Sequence, residues 1–136
     1  MKKKLLTYYL NTNYSVFDPA INIYIGQSNE ALLNLLRAHN VQTWAYLTAE
    51  NPRSEQKTNE ENKILNEALE QDLIQDNYSY FLGAGIPKNS NWTPENSFLV
   101  LGMDKKTGIE LATKYQQNAF IYGGIKHYPE VVYGYY

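Results

Sequence analysis

Two carboxylates, four amides, one guanidinium and one indole mark the places in this chain where chemistry could be done. Glu50, Asn51 and Arg53 lie in "TAENPRS", residues 48–54, where an apolar run gives out. A carboxylate there can take or give a proton, and a guanidinium can hold a carboxylate or phosphate through two parallel hydrogen bonds. Asn51-Pro52 makes a turn, and the plain alternative is a solvated turn with scattered charges. Trp92 and Glu95 fall in the long loop "AGIPKNSNWTPEN", 84–96. An indole can stack on a planar ring while a carboxylate bonds its edge; the same indole could instead plug the loop onto the core. Gln117 and Asn118 stand between a helix and a strand, where amides either read a ligand or cap the helix end. Glu95 and Glu50 are the candidates for a general base.

No familiar enzyme signature accompanies these groups. The sequence contains no G-x-S-x-G, P-loop or H-E-x-x-H, and Gly83 with Gly85 completes no dinucleotide fingerprint. His39 belongs at the end of a helix, where a partly cationic imidazole suits the dipole, and His127 falls in a tail flanked by Gly and Tyr. Two distant histidines make no metal site, so neither a metal nor a cofactor is expected. Whether such a pocket would catalyse or only bind is left open.

With 136 residues the chain has the size of one domain with a single core, spanning 1–136. It has no cysteine, which removes disulfides and thiol chemistry and favours a reducing cytoplasm. A net charge of −2 supplies no field for nucleic acid or an anionic membrane, so a nucleic-acid partner is disfavoured. The start "MKKKLLTYYLNTNY" is not read as a signal peptide, because Asn11 and Asn13 break its apolar stretch. No apolar run approaches the ~20 residues of a membrane span. Thirteen tyrosines suit half-buried strands and also contact surfaces.

The elements that must position the polar groups follow from periodicity. Residues 4–10 and 20–25 read as strands paired through the turn around Asn13 to Pro19. Ser28 caps a helix over 29–39 with Leu32, Leu35 and Leu36 on one face. Strand 43–49 leads to a helix over 59–75, with Leu65, Leu69 and Leu73 inward and Ile64 and Ala68 alongside. Thr58 and Glu61 at its start form a capping box. Strands 78–83 and 97–103 follow, then an Asp104-capped helix over 105–116 with Ile109 and Ala112 inward, and a strand at 118–124. The tail "VVYGYY" adds an edge strand. The order ββαβαββαβ implies an α/β or α+β fold with about three helices on a mixed sheet.

Three segments together resemble a known family. "AYLTAENPRS" with "NEEN", then "NWTPENSFLVLGM", then "LATKYQQNAFIYGG" is similar to the small bacterial domain-of-unknown-function family three-two-nine-three. The matching positions are Thr48, Ala49, Asn51 and Pro52; Glu61 and Asn62; Trp92, Glu95, Ser97 and Phe98; and Gln117, Asn118 and Ala119. The resemblance covers about residues 20–124. Gln116 stands where that family commonly has Gly, and the Tyr-rich tail 125–136 has no counterpart. The resemblance implies a shared fold and no assigned activity. Its polar members, Asn51, Asn62, Trp92, Glu95 and Gln117, fall at loop ends, where binding residues concentrate.

The resulting expectation is a cytoplasmic protein binding a small polar, nucleotide-like molecule. Its pocket would lie at the carboxyl ends of the strands, lined by Asn51, Arg53, Asn62, Trp92, Glu95, Gln117 and Asn118. The alternative is a protein-interaction or self-association module that docks through exposed tyrosines and the tail "HYPEVVYGYY".

Overall fold

In "TWAYL" every residue after the first is buried, which a strand achieves only when both faces of its sheet are covered. That strand is central to a seven-stranded sheet in the computed structural model, which describes residues 3–88 and 91–134. The elements are α1 (Lys3–Leu10), β1 (Thr12–Val16), β2 (Ile21–Ile23), α2 (Glu30–Ala38) and β3 (Thr43–Leu47). A 3-10 turn (Pro52–Ser54) precedes α3 (Asn59–Gln75), β4 (Tyr80–Pro87), β5 (Glu95–Leu101), α4 (Lys105–Lys114), β6 (Ala119–Gly124) and β7 (His127–Tyr133). The strand order is β2-β1-β4-β5-β3-β6-β7.

Period-two alternation sends each central strand's side chains to two cores. Ala45, Leu47, Phe98, Val100, Phe120 and Tyr122 meet Leu69 and Leu73 of α3 and Ala112 of α4. Trp44, Tyr46, Leu99, Leu101 and Ile121 point the other way, to Leu32 and Leu36 of α2. The helices thus cover both faces of an α/β sheet.

Several expectations change here. Every pairing among the described strands is antiparallel, so the sheet is not mixed. Residues 4–10 are helical rather than a strand, and the partner of β2 is the next segment, β1. Leu5, Tyr8 and Tyr9 stand at i, i+3 and i+4, a helical face that aromatic content alone disguises. Thr12 Oγ1 then donates to Tyr8 O at 2.7 Å where the helix gives way to β1.

Asn29, not Ser28, caps α2, its side chain accepting from Leu32 N–H at 3.0 Å. Helix α3 and its Thr58–Glu61 capping box stand as read. Its inner face is different, because Ile64 and Ala68 are exposed while Asn62 and Asn66 are buried. On α4, Ala112 is buried, but Gly108 takes the inner place expected for Ile109.

The long loop shortens, since β4 and β5 pair from Tyr80↔Val100 to Gly85↔Glu95 and form a hairpin. Asn89 and Ser90 of that loop lie outside the described residues, as do Tyr135 and Tyr136 of the tail. The rest of the tail supplies the edge strand β7, and His127 opens that strand.

Candidate functional site

Antiparallel pairing removes any common carboxyl end of the sheet. The expected residues instead gather where β3 finishes and where β5 and β6 begin. The alternation of β5 separates neighbours there. Glu95 shares the parity of Leu99 and Leu101, and Asn96 that of Phe98 and Val100.

The chain leaves β3 through Thr48, Ala49 and Glu50 into a left-handed turn. Asn51, Arg53 and Ser54 have φ of 51°, 59° and 59°, and Gln116, which meets them, has 55°. Left-handed backbone costs an L-residue on the order of 1–2 kcal/mol, so four such residues side by side need strong local ties. Arg53 N–H donates to Gln116 O at 2.7 Å, and Asn118 Nδ2 donates to Ser54 Oγ at 2.8 Å.

Asn51 is the hub. Its Nδ2 donates to Glu95 Oε2 at 2.8 Å, while its Oδ1 accepts from Lys57 N–H at 2.9 Å and Asn62 Nδ2 at 3.0 Å. Asn62 Oδ1 in turn accepts from Asn51 N–H at 2.9 Å. Asn66 repeats the arrangement one turn along α3. It accepts from Ala49 N–H at 2.8 Å and donates to Asn96 O at 2.9 Å and Glu50 Oε2 at 3.3 Å. Gln117 Nε2 donates to Glu50 O at 3.0 Å. Trp92 Nε1 donates to Glu95 Oε2 at 3.1 Å.

Three segments distant in sequence therefore meet around one turn. Their roles separate on inspection of the bonds. Asn62 and Gln117 spend amide groups on the loop's own backbone or on Asn51, so they hold the turn in shape. Arg53 is exposed and, with Asn118, lines neither of the two larger cavities at this end of the sheet.

Those cavities lie on either side of the turn. A cleft of about 330 Å³ is walled by Leu5, Tyr8 and Tyr9 of α1 and by Trp92, over Asn51, Ser54, Glu95 and Gln117. A wider groove of about 720 Å³ runs along α3, where Glu50, Asn62 and Asn66 face Phe17, Leu82 and Phe98. The sequence reading missed α1 and Asn66. The i, i+3, i+4 spacing in "LLTYY" was the signal for the first, and the Asn62/Asn66 spacing of four on one helix face was the signal for the second.

The two carboxyls differ in what they face. Burial pushes Glu50 up to about 7; the Glu95 charge adds to the rise, and hydrogen bonds from Asn96 oppose it. Burial raises Glu95 as well, against the hydrogen bonds from Asn51 and Trp92. A carboxyl titrating near neutrality is suited to exchange a proton with a bound group. Among the described residues no cluster of three or more His, Asp or Glu is placed to hold a metal.

Glu50 also makes stability depend on pH. The folded state holds its proton more tightly than the unfolded chain, whose carboxyl titrates near 4.5. The contribution is therefore complete below that value and lost as pH rises through about 7. Glu50→Gln, a neutral isostere, is expected to exceed the wild type by about 1–2 kcal/mol at pH 8 and to show no gain at pH 4. Urea unfolding at both pH values measures this, and equal offsets at the two would contradict it.

A family model described as a protein of unknown function, DUF3293, matches residues 47–120. The match takes in the left-handed turn, the start of α3, Trp92, Glu95 and Gln117, and leaves α1 outside. No curated protein and no solved structure matches the chain.

Proposed function

We propose, from the premise that this chain belongs to the DUF3293 family of unknown function, that it binds a small molecule in the cleft beneath α1. The observation that carries the reading is the cleft itself. Aromatic walls enclose about 330 Å³ above a few convergent polar groups, the usual make-up of a small-ligand site. The left-handed turn at its base supports the reading, since strained backbone concentrates where geometry serves a ligand. A nucleotide is the poorer fit, because among the described residues no Lys or Arg lines the cleft and Arg53 lies outside it. No helix among the described residues is long and apolar enough to cross a membrane. A cytoplasmic, small-metabolite role agrees with the lack of cysteine.

A thermal-shift screen of nucleosides, amino acids, amines and organic acids tests the proposal. A ligand at a hundred times its Kd adds about 2.7 kcal/mol of stability. The shift is expected to disappear in Trp92→Ala; an equal shift in that variant would place the ligand elsewhere.

The interaction module is the second reading. Tyr128 and Tyr133 are exposed on the edge strand β7. Pro129 in that strand removes a backbone donor, so contact there would run through side chains rather than strand addition. A concentration-independent monomer mass in sedimentation would sink it as a self-association surface.

A further inference from the structure

The cleft beneath α1 is acidic in an unusual way. Among the described side chains that line it, Glu95 is the one acidic group, and none is a Lys or Arg. Its carboxylate accepts from Asn51 Nδ2 at 2.8 Å and Trp92 Nε1 at 3.1 Å, and both bonds fall on Oε2. Both donors are neutral. The ion pairs among the described residues involve other carboxylates, and Glu50, whose carboxyl the Glu95 charge helps to raise, is an acid as well.

A half-buried carboxylate with neutral donors alone lacks the counter-charge that would offset its lost hydration. Around it stand the rings of Tyr8, Tyr9 and Trp92. Aromatic rings attract cations through their electron-rich faces, most strongly where water is excluded. Carboxylate and rings therefore ask for the same ligand charge.

We infer that the cleft takes an organic cation, a protonated or quaternary amine, with its positive group beside Glu95 and its apolar part between Trp92 and the α1 tyrosines. This rests on the reading of the cleft as a ligand site and names the ligand's chemical class. A phosphate or carboxylate ligand would meet the Glu95 carboxyl with no cation among the described lining residues to balance it. Asn51 matters here as a positioning residue, because its Nδ2 bond to Oε2 holds the carboxylate in place.

Isothermal titration of the full chain with three phenyl compounds tests the inference: benzyltrimethylammonium, benzyl alcohol and phenylacetate. Benzyltrimethylammonium is expected to bind at least tenfold tighter than the other two and to weaken as salt is raised. Glu95→Gln is expected to lower its affinity at least tenfold and to leave benzyl alcohol unchanged, with circular dichroism confirming the fold. Should that variant not fold, the wild-type ranking and its salt dependence decide alone. Benzyl alcohol or phenylacetate binding as tightly as the ammonium overturns the cation assignment and leaves the cleft a ligand site. Absence of binding by all three overturns the cation assignment and counts against the cleft.

Discussion

Asn51→Ala is expected to lower the stability of the chain by about 4 kcal/mol and to abolish ligand binding in the cleft. The side chain makes three hydrogen bonds, one of them to the Glu95 carboxylate. A neutral bond is worth about 1 kcal/mol net and a bond to a charged group about 1.5–3, with more lost where a buried partner is stranded. Asn62, itself buried, would lose its acceptor. The backbone adds to this, since Asn tolerates φ of 51° better than Ala does. Asn51→Gly separates the two causes. It relieves the backbone but restores no hydrogen bond, so it is expected to recover about 1 kcal/mol and none of the binding. Urea unfolding gives both values. A loss below about 1 kcal/mol for Asn51→Ala would mean that the turn is held by other contacts.

Asn66→Ala is expected to cost about 3 kcal/mol, and the cost is local to the turn's other end. Ala49 is fully buried, and its N–H has the Asn66 amide oxygen as acceptor. Truncation strands that donor and removes the bond to Glu50 Oε2. The Glu50 carboxylate, losing a donor that favours its charged form, is expected to titrate higher still. Asn66→Asp keeps an acceptor for Ala49 but sets an oxygen against the Asn96 carbonyl and Glu50. It is therefore expected to be no better than Ala at pH 8 and to recover at pH 5, where the new carboxyl can be protonated. Stability measured at both pH values would reveal the recovery, and identical losses at the two would show that Glu50 is not coupled to this position.

Local rules in the sequence carried most of the scaffold. The α3 capping box and its bounds follow from side chains within one turn, and the continuous apolar runs of β3, β5 and β6 follow from burial on both faces. The errors arise where two rules compete or where partners are remote. In "KKLLTYYL" aromatic content argues for a strand and the spacing of Leu5, Tyr8 and Tyr9 for a helix, and packing over the site decides for the helix. Pairing direction depends on partners far along the chain, which no local pattern encodes. The expectation of a pocket at a common carboxyl end rested on a mixed sheet, and an all-antiparallel sheet has no such end.

The polar residues themselves were legible as a set. Asn51, Asn62, Trp92, Glu95 and Gln117 do gather at one turn. What the sequence does not carry is the division of labour among them. Asn62 and Gln117 brace the loop, Arg53 lines neither cavity, and Asn66, an asparagine on a helix face, holds the end of β3 to β5. Buried amides look alike in sequence whether they bond a ligand or a backbone.

The proposed small molecule sits between α1, Trp92 and Glu95. The most direct measurement of its binding is the pair of indole N–H resonances in a titration with a mixed panel of cationic, neutral and anionic small molecules. The chain has two tryptophans, and Trp44, at 1% exposure on the same face of the sheet but outside the lining of the cleft, is the internal control. A ligand in the cleft is expected to shift the Trp92 indole and the Asn51 side-chain amide together while Trp44 stays fixed. Ligands that bind without moving Trp92, or a Trp92 resonance unmoved by every member of the panel, would contradict the proposal.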